Sequence, residues 1–368
     1  SGAITSLLLD RDFNVLESSY NAGGMVSNCS GSGTPWGTVL TGEESTATLD
    51  ADHGFIWEVD PHDHTKVRLD ACGRFDHETA VVDAETGFVY LTEDAGEGLL
   101  YRMRPRKRRD LSKGILEAFA GKGRWVRIRD PLGVEGESPA TQGARAGAVV
   151  FQRLEGGSFD GRYFYFTETQ DETACGKVWR LHVDRGRLEL FAEGDAGGGM
   201  CMPDNLVFDA ARNMYVTEDK PTPDPSDPNR IQFIDRATGD VSVFGEVTTP
   251  GDEATGPAFV PGGRAMFLNL QRSGNGGLTL VIEGPFPRRR SRQRAVAAMP
   301  PQARPEESRF LSEHGADLPS LATLPLAAAA AAVNLRRRGR FVEGLPRDLD
   351  QAAQELGEPG FKANPKRT

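Results

Sequence analysis

What the chain lacks narrows its function first. No run of about 18 apolar residues occurs in its 368 residues, so no transmembrane helix is expected. Long segments with a helical apolar period are scarce before residue 300, which argues against a helical body. The four cysteines, Cys29, Cys72, Cys175 and Cys201, include no C-x-x-C pair, which argues against a zinc knuckle or thioredoxin-type site. A disulfide such as Cys72–Cys175 is open to the chain, but spacing alone does not choose the pairing. No signal peptide is read, since Ser1 leads directly into a strand-like segment, and the compartment stays undetermined.

Positive charge is also short. Lys+Arg is 43 against 53 Asp+Glu, a net charge of -10. The deficit is uneven, because residues 287–368 hold 15 basic and 9 acidic residues, leaving residues 1–286 at -16. Such a body repels phosphate backbones, so nucleic acid is not an expected partner, whereas cations are.

What is present is a turn-rich chain with 43 Gly and 23 Pro. Its apolar stretches are short and rich in Val, Tyr, Phe and Leu, as in Phe88–Leu91, Tyr163–Phe166, Met214–Val216 and Met266–Leu268, which reads as all-β. The strands repeat. HETAVVDAETGFVYLTED from His77, EGGSFDGRYFYFTET from Glu155, PDNLVFDAARNMYVTED from Pro203 and EATGPAFVPGGRAMFLNLQ from Glu253 share one pattern. A carboxylate (Glu78, Glu155, Asp204, Glu253) is followed by a strand, a tight turn and a second strand, and three units end in Thr-Glu. Glu155 to Asp204 and Asp204 to Glu253 are each 49 residues, the length of a four-stranded propeller blade.

The first strand of a blade lines the central channel. Carboxylates recurring at its start, backed by a second acidic layer at Thr92-Glu93, Thr167-Glu168 and Thr217-Glu218, would form a ring that only cations can neutralise. All-oxygen ligands favour calcium. Further upstream, Cys29 and the pair Glu43-Glu44 fall within one hairpin, and a thiolate beside hard oxygens suits iron better than calcium alone.

At this point the sequence resembles the PhoX alkaline phosphatases. The resemblance is carried by Asn28-Cys29, Thr34-Pro35-Trp36-Gly37-Thr38, Glu43-Glu44, Gly73-Arg74-Phe75 with His77-Glu78, Arg153-Leu154-Glu155, Pro203-Asp204-Asn205, and the stretch from Glu253 to Phe259 followed by Asn269-Leu270-Gln271. It runs from about residue 3 to about residue 287. It implies a β-propeller of about six blades, the first incomplete because the family carries a further strand before the position of Ser1. It also implies a mixed cluster of ferric and calcium ions in the channel, and hydrolysis of small phosphomonoesters. Carried across by position, Cys29 would hold iron, and Glu43, Glu44, Glu78, Glu155 and Glu253 iron or calcium. Asp94, Asp204 and Asp219 would be further calcium ligands, and Arg153 would bind the substrate phosphate. The chain departs from the family at Leu154, where a proline is usual, and at Gly42, where many members have cysteine.

Two rivals stand beside this reading. Pro203-Asp204-Asn205-Leu206 with Asn213-Met214-Tyr215 is also similar to gluconolactonase-type propellers, which use one divalent metal. A propeller holding calcium only, and serving as a scaffold, is the other.

Several features are read as bland. His62-Asp63-His64 lies in a polar turn, and His77 points away from the channel if Glu78 points in. Asp224 through Pro228 is a surface loop, and the basic run from Arg102 to Arg109 is solvated. Residues 1–287 are read as the metal-binding propeller, and 288–368 as a basic Pro/Ala-rich tail, with 321–357 helical. One basic cluster makes no stable membrane anchor, and a monomer is expected.

Overall fold

In two of the repeats, and in the N-terminal hairpin, an aspartate side chain closes the turn between the paired strands. The Asp83 carboxylate accepts N–H groups of Glu85 and Thr86, Asp209 accepts Asn213, and Asp10 accepts Asp12 and Asn14. A computed structural model of the chain describes residues 2–46, 53–197, 199–221, 226–249, 251–271 and 277–288, together with the strand Arg340–Phe341.

These hairpins assemble into a β-propeller of five blades and a two-stranded hairpin. Blade I is Asn28–Gly33, Val39–Glu43, Ile56–Val59 and Lys66–Arg68. Blade II begins with His77–Val82 and Val89–Glu93, continues through Gly98–Lys107 and Asp110–Phe119, and adds the short strands Trp125–Arg127 and Val150–Phe151. Blade III is Leu154–Asp160, Tyr163–Glu168, Lys177–His182 and Arg187–Glu193. Blade IV is Pro203–Phe208, Met214–Glu218, Arg230–Ile234 and Val241–Glu246. Blade V is Ala254–Phe259, Ala265–Leu270 and Leu278–Glu283, with Arg340–Phe341 as its fourth strand.

The hairpin Gly2–Leu9 and Val15–Met25 fills the interval between blades V and I. Ile4, Ala22 and Met25 pack on Val59 of blade I, while Phe13 at its turn packs on Ala265, Phe267 and Val281 of blade V. Among the described residues the expected sixth blade is represented by this two-stranded hairpin, which lies between blades V and I.

Side-chain alternation assigns residues to blade interfaces. Along Tyr163–Glu168, Phe164 and Phe166 join the cluster shared with blade II, and Tyr165 joins the one shared with blade IV. Along Met214–Glu218, Met214 and Val216 face blade III while Tyr215 faces blade V. Fully burying one such ring contributes about 2–3 kcal/mol, so large aromatic side chains at the joints hold the ring together.

Two expectations change here. Cys175 pairs with Cys201, whereas Cys72 is buried and free, so the Cys72–Cys175 pairing is not formed. The loop after the second strand of blade III and the loop before blade IV meet, because Met202 N–H bonds Cys175 O and Gly194 N–H bonds Gly176 O. Within 321–357, read as helical, the described residues Arg340–Phe341 are a strand, and the remainder of that stretch lies outside the described residues.

Candidate metal centre

Strand register determines which residues meet in the channel. At the start of the inner strands, Asn28 pairs with Glu43, His77 with Glu93, Leu154 with Glu168, Pro203 with Glu218 and Ala254 with Leu270. The next residue is Cys29, Glu78, Glu155, Asp204 and Thr255 in blades I to V. In blades I to IV a register shift follows that first pair directly, and such bulges re-aim side chains next to functional sites.

Four of these five side chains converge. Donor atoms of Cys29, Glu44 and Glu78 lie within 4.8 Å of one another, as do those of Glu78, Glu155 and Asp204. Glu78 belongs to both groups. It is fully buried, and neither carboxylate oxygen has a hydrogen-bond partner of normal geometry, although the Cys29 thiol is in reach. A buried charge without partners is costly unless a cation supplies them.

The second acidic layer is displaced by one residue from the expected one. The Thr-Glu glutamates turn away from the channel and staple strands within their blades. Glu93 accepts Leu99 N–H and Tyr101 O–H, and Glu168 accepts Gln152 N–H and Trp179 Nε1–H. Glu218 accepts Cys201 N–H, Arg230 N–H and the Gln232 amide. Glu43 is their counterpart in blade I, accepting Val26, Gly54 and Phe55 N–H groups and contacting His53 Nδ1. The following residues, Glu44, Asp94 and Asp219, face the channel. Their N–H groups bond Ser27, Asp76 and Met202 carbonyls just ahead of the inner strands.

Arg153 sits over this layer with φ 54, a left-handed conformation that costs a non-glycine residue energy and concentrates at functional sites. Its guanidinium donates to Asp94 Oδ1 at 3.2 Å and Oδ2 at 3.3 Å, and to Glu155 Oε1 at 2.7 Å, with Asp219 at 3.9 Å.

Glu253 does not join the two groups. It precedes blade V's inner strand, two residues ahead of the channel position, which Thr255 holds, and it accepts the Gln271 amide at 3.0 Å. The sequence repeat had placed it level with Glu78, Glu155 and Asp204; the equal 49-residue spacing conceals this two-residue offset.

The electrostatics follow from crowding. Burial, then Asp94, pushes the Glu44 carboxyl up to about 7. Burial and neighbouring carboxylates push Glu78, Glu155 and Asp204 well up. Burial, then Glu78, Glu44 and Glu155, does the same to the Cys29 thiol. Cations reverse this, because a positive centre favours every ionised ligand at once. The donor set fits: one sulfur with two carboxylates, sharing Glu78 with an all-carboxylate group.

The remaining polar features are structural. His77 is buried, its Nε2 lies 3.2 Å from Gly73 O, and burial lowers its pKa to about 3, so it stays neutral. His64 Nδ1 lies 2.9 Å from Asn21 Oδ1, in the turn that also holds His62. Arg102 and Arg104 pair with Glu117 on the outer part of blade II, and Arg106–Arg109 are mostly exposed. Asp224 and Pro225 lie outside the described residues; Asp227 in the same loop pairs with Lys220 and Arg230. Trp36 of the TPWGT segment belongs to the far turn of blade I, where it and Thr38 donate to Glu58. Sequence reading gave no role to the hydroxyls of Thr92 and Thr167 or to the Asn205 amide, which bond the backbones of neighbouring blades; the threonines were visible as the first half of each Thr-Glu pair.

Residues 13–274 match the family described as "Alkaline phosphatase PhoX". No curated protein matches the chain. Among solved structures, TolB from Acinetobacter baumannii aligns with a TM-score of 0.49 at 13% identity, over 77% of this chain and 61% of that one. This chain thus spans about three-fifths of TolB. A chain of a nidogen/laminin complex aligns with a TM-score of 0.50 at 11% identity, over 77% of this chain and 89% of that one. One described as a gluconolactonase gives 0.46 at 13%, over 75% and 82%. Likeness at such identities concerns the propeller fold alone.

Proposed function

Because the chain belongs to the PhoX alkaline phosphatase family, we propose that it hydrolyses small phosphomonoesters at a mixed iron–calcium centre in its channel. Cys29, Glu44 and Glu78 would hold iron, the thiolate being the soft ligand that calcium does not seek. Glu78, Glu155 and Asp204 would hold calcium, with Asp94 and Asp219 as further oxygen donors. Glu43 is left out of the ligand set, since its oxygens already accept backbone N–H groups. When bound, such metals act as Lewis acids toward a phosphoryl group and lower the pKa of water.

The chain's own residues do the rest. Arg153 presents a planar fork suited to two phosphate oxygens. In the present arrangement that fork is taken by Asp94 and Glu155. Cations on those carboxylates would weaken their hold and release the fork toward a phosphate dianion. The buried carboxylates, carried on hydrogen-bonded inner strands, would hold the site at fixed geometry.

The observation that carries this reading is Glu78, buried, without a hydrogen bond of normal geometry and common to both donor groups. The test is iron and calcium analysis of purified protein, paired with aryl-phosphate turnover at alkaline pH. Iron, calcium and turnover are expected together, and Cys29→Ser should lose iron and turnover together. Full iron in Cys29→Ser would remove that residue from the ligand set. Calcium without iron or turnover would favour a scaffold, and lactone opening with one divalent ion a lactonase.

A further inference from the structure

The hydroxyls of Thr92 and Thr167 do something the metal-centre reading does not require. Both residues are fully buried. Thr92 Oγ1 accepts the N–H of Thr79, the residue after Glu78, at 3.0 Å. It donates to the carbonyl of Glu155 in the next blade at 2.6 Å. One hydroxyl thus joins the backbones that carry Glu78 and Glu155. Thr167 Oγ1 lies 3.3 Å from the carbonyl of Gly156, the residue after Glu155, and 2.7 Å from the carbonyl of Asp204 in blade IV. Together the two threonines link all three carboxylates of the Glu78, Glu155 and Asp204 group through their main chains.

The other boundaries show that this is tied to the acids. Thr217 occupies the same position in blade IV, but its hydroxyl bonds only Asn205 N and O in its own blade. Blade V, across that boundary, brings Thr255 instead of an acid to the channel. At the boundary of blades I and II the position is Gly42. A Cβ there would lie 2.8 Å from His77 Cβ and 2.9 Å from His77 O, so the strands approach with no spacer. The same closeness recurs at Gly156, where a Cβ would lie 2.7 Å from Asp204 O. The inner strands are therefore spaced by individual contacts, and a bond there moves a ligand.

Resting on the metal-centre reading, we propose that Thr92 and Thr167 are positioning residues that set the separation of Glu78, Glu155 and Asp204, and thereby the affinity of that group for calcium. A hydrogen bond behind a ligand acts by orienting it, and its loss typically costs ten- to a hundredfold in metal affinity. Thr92 carries the sharper test, since Thr169 Oγ1 makes a second bond across the blade III–IV boundary, to Pro203 O at 2.6 Å.

The experiment is calcium titration by calorimetry on metal-stripped full-length protein, with thermal unfolding of the same samples. Thr92→Val removes the hydroxyl and keeps the shape; it should weaken calcium binding about tenfold. Thr92→Ser should restore it, and Thr86→Val, in the exposed outer turn of the same blade, should leave it unchanged. Should Thr92→Val not fold, Thr167→Val carries the test, with a loss of about threefold because the Thr169 bond persists. Unchanged calcium affinity in whichever of these folds, with wild type binding calcium, overturns this inference alone. So does an equal loss in Thr86→Val, or a Thr92→Ser that does not recover. A wild-type chain that takes up no calcium overturns the metal-centre reading and this one with it.

Discussion

Replacing Glu78 by Gln should act on stability with opposite sign in the metal-free and metal-bound protein. In the metal-free chain Glu78 is buried among Asp204, Glu44 and Asp94, with only the Cys29 thiol in reach of its carboxylate among the described residues. Glu78, Glu44 and Asp204 have folded-state pKa values above their unfolded ones, so the native state binds more protons than the unfolded chain. Stability is then highest below the unfolded pKa and is lost as pH rises through the folded pKa. Glu44 gives the scale: a rise from 4.5 to about 7 corresponds to about 3 kcal/mol lost across that interval. Burial, then Asp204 and Glu44, pushes Glu78 in the same direction. Glu78→Gln removes a buried charge and should therefore stabilise the metal-free protein near pH 8, by about 1–3 kcal/mol, and by less near pH 5, where the native carboxyl is protonated. With calcium in excess the order should invert, because the variant lacks the carboxylate shared by both donor groups and forgoes the stabilisation that binding adds. Urea unfolding of chelator-treated protein at the two pH values, repeated with calcium, measures all of this. A metal-free variant weaker than wild type near pH 8, or calcium stabilising both equally, would refute the reasoning.

Four further substitutions separate the remaining roles. Arg153→Ala should lower aryl-phosphate turnover at least tenfold while iron and calcium contents stay at wild-type levels; loss of metal would show that Arg153 holds the ligands rather than the substrate. Glu43→Gln should cost about 2 kcal/mol of thermal stability with metal content kept, whereas Glu44→Gln should lose metal. An identical metal profile for the two neighbours would contradict the opposite orientations of their side chains. Cys201→Ser opens a crosslink that spans 26 residues and should cost about 3 kcal/mol in urea unfolding, an effect that reductant reproduces in wild type; equal midpoints would mean the bridge adds nothing.

Much of the centre was legible in the chain. The blade period, the acids at blade starts, and the hairpin joining Cys29 to Glu44 are local patterns, and they point to the residues that converge. The misplacements share one cause. Alternation and register act residue by residue, and composition does not report them. Glu43 and Glu44 are equally acidic, yet Glu43 pairs with Asn28 inside blade I while Glu44 faces the channel. The Thr-Glu pairs read as channel acids because a glutamate was visible and its orientation was not. Glu253 fell at an equal spacing from Asp204, but the pairing of Ala254 with Leu270 places it two residues early. The disulfide likewise depended on which loops meet, and four cysteines allow three complete pairings.

By itself, then, the sequence determined the class of fold and the chemical character of the site, because strand patterning and the recurrence of acids are properties of short segments. Tertiary structure alone decided which acids share a cavity, which serve as staples, and which threonines span two blades. Those outcomes rest on hydrogen-bond register and on blades packed close enough for one hydroxyl to reach the next strand, and both arise only when the ring closes.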